Sequence, residues 1–242
     1  MATKEEIIKA VSDFFSGDYE IIEGRAIPDV ADIQLGKNGR EIELAMLFID
    51  IKESTKIVDG LRRTTAARMY KSFLWGVAQI AKMNNGELRS FNGDGVLMAF
   101  IGKSKRTNAT KAAMQMSWFA QKVLKPKLDT VFQNNRLLCD QEIEFDFGIG
   151  IDVGKVLVVR GGIRGGNNND LVWVGNATNF AVKLSALSKD GYHIYISEDV
   201  YKKMKKSSKI GGNPKKNMWD SRTWNDMGGI TIYRSNWTWP MN

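Results

Sequence analysis

Two aspartates close strand-like apolar runs, Asp50 in LAMLFIDIKEST (44–55) and Asp94 in GELRSFNGDGVLMAF (86–100). An apolar strand that ends in a carboxylate and runs into Ser-Thr can hold a metal and turn at a phosphate. An Asp between two glycines in a hairpin turn can hold the same metal from the neighbouring strand. Magnesium and manganese prefer oxygen ligands, commonly one or two protein carboxylates with substrate phosphates in the remaining positions. The backbone carbonyl of Ile51 can add a third protein oxygen. Such a pair suggests a two-metal site for a nucleoside triphosphate, where the metals lower the pKa of an attacking hydroxyl and neutralise the phosphates. Either Asp alone reads as a turn or helix cap; the pair, each at a strand end beside glycine or Ser-Thr, favours the metal.

The bulk composition removes competitors. A single cysteine, Cys139, excludes an internal disulfide and a Cys-based zinc site and fits a reducing cytoplasm. A single histidine, His193, gives little support to Ser-His-Asp chemistry. Catalysis must then rest on Asp, Lys, Arg, backbone and bound metal. The longest apolar run, about eight residues, falls far short of the ~20 that span a bilayer, and the charged start MATKEEIIKAV lacks a signal core. These features predict a cytoplasmic protein with no membrane partner. The net charge, 35 − 27 = +8, attracts polyanions. Much of the excess lies in KKMKKSSK (202–209) and Lys215-Lys216. No aromatic interleaves that run, so it reads as a solvated helix end and loop, and nucleic acid is disfavoured as a partner.

The elements that must position the aspartates can be read from periodicity. Apolar spacing predicts an amphipathic helix over 3–15, an irregular lead-in over 16–41 and a buried central strand over 44–51. Ser54-Thr55 are expected to cap the segment after them, and 62–83 reads as a strong helix. Residues 87–91 and 95–100 form a hairpin around Asn92-Gly93-Asp94-Gly95. A second long helix fits 107–132, broken or kinked at Pro126. Residues 142–153 alternate as a strand, with 155–161 as the expected hairpin partner after Gly154. A mobile Gly/Asn loop (161–170), a short strand (171–174), a helix (176–187) and strands at 193–197 and 229–234 complete the pattern. The order predicts an α+β fold, a ferredoxin-like mixed sheet with helices packed on it. The tryptophans Trp219, Trp224, Trp237 and Trp239 are expected to pack against that sheet rather than stack on a ligand. No Walker-type loop is present, and the glycines at 161–166 are not a dinucleotide fingerprint.

Over roughly residues 43–205 the chain resembles the class III nucleotidyl (adenylate/guanylate) cyclase catalytic domain. Four blocks in order carry the resemblance: LFIDIKEST (47–55), GELRSFNGDGVLMAF (86–100), FGIGIDVGKVLVVRGGI (147–163) and VGNATNFAVKL (174–184). It implies a βαβ sandwich in a head-to-tail homodimer whose active sites borrow residues from both subunits. Asp50, Ile51 and Asp94 match the positions that hold two Mn2+ or Mg2+ ions per site. Lys52, Glu53, Ser54 and Thr55 fall where the triphosphate is cradled. Asn179 matches the asparagine that orients the ribose. Lys183 falls where the family usually has an arginine for the transition-state phosphate; lysine keeps the charge but loses the planar fork.

The base-reading positions depart from the family. Ser90 and Val172 stand where adenylate cyclases carry a charged pair, and neither reproduces the guanine set. Discrimination between bases needs matching hydrogen bonds in a desolvated pocket, so this smaller pair points to another base, or to a pyrimidine read through Ser90, Arg89 or backbone. A short domain so altered resembles the pyrimidine cyclases of bacterial Pycsar anti-phage systems. That resemblance implies conversion of UTP to cyclic UMP, a diffusible messenger for a separate effector protein. Alternatives are a cytidylate cyclase acting on CTP, an adenylate or guanylate cyclase with an atypical pocket, and a non-catalytic domain that binds nucleotide or nucleic acid through 202–216. The expected organisation is a lead-in (1–42), the catalytic domain (43–205) and a Trp-rich extension packed on it (206–242).

Overall fold

A computed structural model describes residues 2–135, 144–163, 165 and 168–241. In chain order its elements are α1 (Lys4–Phe15), β1 (Glu20–Glu23), β2 (Asn38–Ile51), α2 (Ser54–Asp59), α3 (Arg63–Met83), β3 (Gly86–Asn92), β4 (Gly95–Phe100), α4 (Lys105–Trp118), α5 (Lys125–Asn135), β5 (Phe147–Gly162), β6 (Asn169–Val174), α6 (Asn176–Ser185), β7 (Ile194–Ser197), α7 (Glu198–Lys203), the two-residue strands β8 (Ile210–Gly211) and β9 (Lys216–Asn217), β10 (Asp220–Trp224) and β11 (Ile230–Ser235). The chain divides into two compact units, 1–43 with 155–176, and 44–154 with 177–242. Strands β2 and β5 contribute residues to both.

In the smaller unit, β1 runs parallel to the start of β2, Glu20 beside Asn38 through Glu23 beside Glu41. The second half of β5 forms a hairpin with β6, from Leu157 opposite Val174 to Gly162 opposite Asn169. Gly39 lets β2 approach β5: a Cβ there would stand 2.9 Å from Leu157 Cδ1 and from the Val158 carbonyl oxygen. Lys155 pairs with Glu41 across the same region at 2.6 Å.

The larger unit carries the sheet order β10-β11-β7-β5-β2-β4-β3. Strand β5 is parallel to β7, whereas β2–β4, β3–β4, β7–β11 and β10–β11 are antiparallel. The mixed α+β sheet expected from the sequence is therefore present. Helices α3 and α4 bury Phe73, Val77, Ile80, Ala112, Ala113 and Met116 with Leu47, Ile49, Met98, Phe100, Ile149, Ile194 and Ile196 of the strands. Tyr195, between those two isoleucines on β7, belongs to a second cluster with Leu184 of α6, Trp224 and Ile232. Side chains alternate along a strand, so α6 covers the opposite sheet face. Trp219 is buried, and Trp237 and Trp239 pack against the main core.

Several local expectations change. The segment 16–41 is not wholly irregular, because β1 finds a long-range parallel partner that four residues of EIIE cannot announce. Ser54 and Thr55 do not cap α2; its N-cap is Glu53 in the left-handed region (φ 50°), without a side-chain capping bond. The helix predicted over 107–132 is interrupted just before Pro126, between α4 and α5. Six residues, Phe119–Leu124, widen to π-type turns, and the Lys125 amide donates to the Ala120 carbonyl. Residues 147–162 are one strand with no turn at Gly154, which does not adopt a positive φ; the hairpin partner is β6. Of the predicted strand 142–153, residues 142–143 lie outside the described residues, as do 164, 166 and 167 of the Gly/Asn loop and Cys139.

Candidate active site

The β2–β4 pairing puts Ile49 opposite Val96 and ends with Asp50 beside Gly95. Gly95 has no side chain, and that leaves room for the carboxylate: a Cβ there would stand 3.1 Å from Asp50 Oδ1 and would overlap the Phe48 ring. The β3–β4 turn then carries Asp94, one residue before Gly95, to the same end of the sheet. Gly93 takes the left-handed conformation (φ 66°) that the tight turn needs.

The two carboxylates interact directly. Burial, then the charge of Asp94 and a hydrogen bond with it, push the Asp50 carboxyl up to about 6, against a smaller opposing bond from the Ile51 amide. Asp50 Oδ1 is buried without a hydrogen-bond partner. A buried, unpartnered carboxylate oxygen beside a second carboxylate is costly unless a cation completes it. Among the described residues no group of three or more His, Cys, Asp or Glu is gathered to hold a metal. A donor set of two carboxylates and a carbonyl therefore suits a hard cation that takes its other ligands from phosphate or water.

Beside Asp50 opens a cavity of about 490 Å³ lined by Asp50, Ile51, Lys52, Glu53, Asp146 and Ser185 among others. The turn 52–55 is held from below: the Lys52 amide donates to the Asp146 carbonyl at 2.9 Å, and Lys52 Nζ donates to the Ser188 carbonyl. Glu53 pairs with Lys56 at 2.9 Å on the surface.

The structure brings Asp50, Ile51, Lys52, Glu53 and Asp94 together. Asn179 and Lys183, one helical turn apart on α6, are exposed and do not line this cavity; Lys183 Nζ lies 3.8 Å from Met227 Sδ. Arg89 is the extra residue of a bulge between Leu88 and Ser90. Its side chain is largely buried, paired with Glu87 at 3.1 Å and donating from Nε to the Leu88 carbonyl at 2.6 Å. Ser90 sits opposite Leu97 and is half-buried. Val172 belongs to the smaller unit, exposed on β6 opposite Val159.

Sequence reasoning missed the residues under Lys52. Asp146 Oδ1 lies 3.2 Å from His193 Nδ1, and the imidazole stacks on Phe147 with centroids 4.4 Å apart. Burial would raise the Asp146 carboxyl, but hydrogen bonds from His193 and the Phe147 amide, with the nearby charges of His193 and Lys52, hold it below its ordinary value. It also missed why FGIGI contains two glycines. Cβ atoms on Gly148 and Gly150 would collide with the Ser185 and Ala181 carbonyls, so the glycines let α6 lie directly on β5. Their spacing of two, on one strand face, was the available signal.

No protein-family profile matches the chain. A uridylate cyclase from Xanthomonas perforans is 36% identical over 240 residues, covering 99% of both chains. The chain belongs to the uridylate cyclase family. It is a nucleotide cyclase in the same sense as that family. A uridylate cyclase from Burkholderia cepacia is 32% identical over 99% of each chain, and one from a Rhodovulum species is 29% identical over 98% and 97%. The fold of this family member is shared more widely. The adenylyl cyclase CyaB from P. aeruginosa superposes with a TM-score of 0.65 at 20% identity, covering 81% of this chain and 95% of that one. A guanylyl cyclase gives 0.65 at 17% identity over 83% and 95%. No helix among the described residues is long and apolar enough to cross a membrane.

Proposed function

We propose that this chain converts UTP to 3′,5′-cyclic UMP and pyrophosphate at the Asp50–Asp94 site. The observation that carries the reading is the buried, unpartnered Asp50 oxygen beside Asp94, in a chain related along its whole length to uridylate cyclases. Asp50, Asp94 and the Ile51 carbonyl would hold Mn2+ or Mg2+, which when bound neutralises phosphate charge and lowers the pKa of the ribose 3′-hydroxyl.

The chain's own residues do the rest. The turn Lys52–Thr55 receives the triphosphate beside the 490 Å³ cavity. Asn179 orients the ribose, and Lys183 supports the charge that develops on the α-phosphate as pyrophosphate leaves in line. Because those two residues stand on an exposed helix face outside the cavity, they act from a second copy in a homodimer with shared sites. Ser90 and Arg89 read the base. The product diffuses to a separate effector in anti-phage signalling, the role that the resemblance to pyrimidine cyclases implies.

The test is incubation with each of ATP, GTP, CTP and UTP with Mn2+, followed by mass identification of the cyclic products. Cyclic UMP from UTP is expected. Cyclic CMP, or a purine product, as the main species would replace the substrate assignment. No pyrophosphate release from any nucleotide would overturn the catalytic reading.

A further inference from the structure

The turn that follows Asp50 is strained and is held from behind. Glu53 has a φ of 50°, in the left-handed region, where a residue with a Cβ pays about 1–2 kcal/mol. Such a conformation persists only where its neighbours fix it. Here the fixing passes through Lys52, which is tied at both ends. Its amide donates to the Asp146 carbonyl at 2.9 Å, and its Nζ donates to the Ser188 carbonyl.

His193 touches both of those anchors. Its Nδ1 lies 3.2 Å from Asp146 Oδ1, 3.2 Å from the Phe147 carbonyl oxygen and 3.5 Å from Ser188 Oγ. Ser188 Oγ itself donates to the Phe147 carbonyl at 2.8 Å. A carboxylate and a carbonyl only accept, so Nδ1 carries a proton and donates it. The ring is set for this by lying within 17° of parallel on Phe147, and the His193 carbonyl accepts from the Ile149 amide at 2.7 Å. The contacts close a circuit, Lys52 to Asp146 to His193 to Ser188 and back to Lys52, entirely within the larger unit. His193 does not line the 490 Å³ cavity beside Asp50. It lines a second one of about 480 Å³, and Asp146 stands in the wall of both. His193 therefore reaches the site only through Asp146 and Ser188.

We propose that His193 is a positioning residue whose Nδ1–H fixes Asp146 and Ser188 and, through them, holds the turn 52–55 in the conformation that receives a triphosphate. The effect on turnover rests on the proposed triphosphate seat at 52–55; the hold on the turn does not. Phosphate contacts at this turn are made in the ground state and the transition state alike, so loosening it raises KM more than it lowers kcat.

His193→Phe keeps an aromatic ring against Phe147 and removes the donor. The Asp146 side chain is 42% exposed, so water takes the vacated bond and the fold persists. His193→Asn places an amide N–H near the Nδ1 position and restores the donor. In the full chain without metal or nucleotide, hydrogen exchange at the Lys52 amide is expected to be at least tenfold faster in His193→Phe. It should return toward the wild-type rate in His193→Asn, with exchange across the β2–β4 pairing unchanged in both. For the nucleotide that the wild type cyclises, KM should rise at least fivefold in His193→Phe with kcat within twofold, and recover in His193→Asn. Lys52 exchange unchanged in His193→Phe, or equally fast in His193→Asn, overturns the positioning role. Faster exchange with an unchanged KM overturns its link to substrate. If the wild type cyclises no nucleotide, the proposed function falls, while the exchange comparison still decides whether His193 holds the turn.

Discussion

Asp50 and Gly95 meet at the end of the β2–β4 pair, where a Cβ on Gly95 would stand 3.1 Å from Asp50 Oδ1 and 2.3 Å from Phe48 Cζ. Phe48 is buried, so Gly95→Ala must move both the ring and the carboxylate. Overpacking of this kind costs about 1–3 kcal/mol. We expect a lower melting temperature and at least a tenfold loss of turnover, checked by calorimetry and a pyrophosphate-release assay. Activity at the wild-type level would mean that the Asp50 position is not critical.

Replacing either carboxylate separates catalysis from folding. Asp50→Asn and Asp94→Asn should abolish turnover while the metal-free fold persists. The sign of the pH effect is set by the Asp50 carboxyl being raised to about 6. Between its ordinary value and about 6 the folded state binds more protons than the unfolded chain, so this group's contribution falls as pH rises through that window. The melting temperature of Asp50→Asn relative to wild type should therefore be higher at pH 7.5 than at pH 4.5, without metal. The reverse trend would show that burial and Asp94 do not raise the Asp50 carboxyl.

Lys183 is exposed on α6, and its Nζ lies 3.8 Å from Met227 Sδ. Lys183→Ala should change stability by no more than about 0.5 kcal/mol, yet lower kcat about 100-fold if it supports the transition-state phosphate. Lys183→Arg should keep most of the activity, because charge is retained. Wild-type turnover in Lys183→Ala would remove it from the catalytic set.

Gly150 and Gly148 hold α6 against β5 through the absence of side chains. A methyl group on Gly150 would collide with the Ala181 carbonyl, backbone that cannot rotate away. Gly150→Ala should cost about 3 kcal/mol, near the top of the overpacking range. It should also displace Asn179 and Lys183 with the helix, lowering activity even below the melting temperature. Thermal denaturation and assays at reduced temperature test both parts.

Asp50 and Asp94 were legible in the sequence because their settings are local. A run of apolar residues, the turn residues Asn92-Gly93-Asp94-Gly95 and the helical period of α3 each act over a few neighbours. Asn179 and Lys183 are proposed only through the resemblance, since an exposed helix face has no local mark of function.

The sequence by itself determined the main helices, the β3–β4 hairpin and the presence of two carboxylates at strand ends, through short-range periodicity and turn chemistry. Only the tertiary structure decided what depends on distant partners. The parallel pairing of β1 with β2, the unbroken passage of β5 through Gly154, the placement of Asp146 and His193 under Lys52 and the burial that lifts the Asp50 carboxyl all belong there. Each needs residues far apart in the chain to be brought together, and no local pattern encodes that approach.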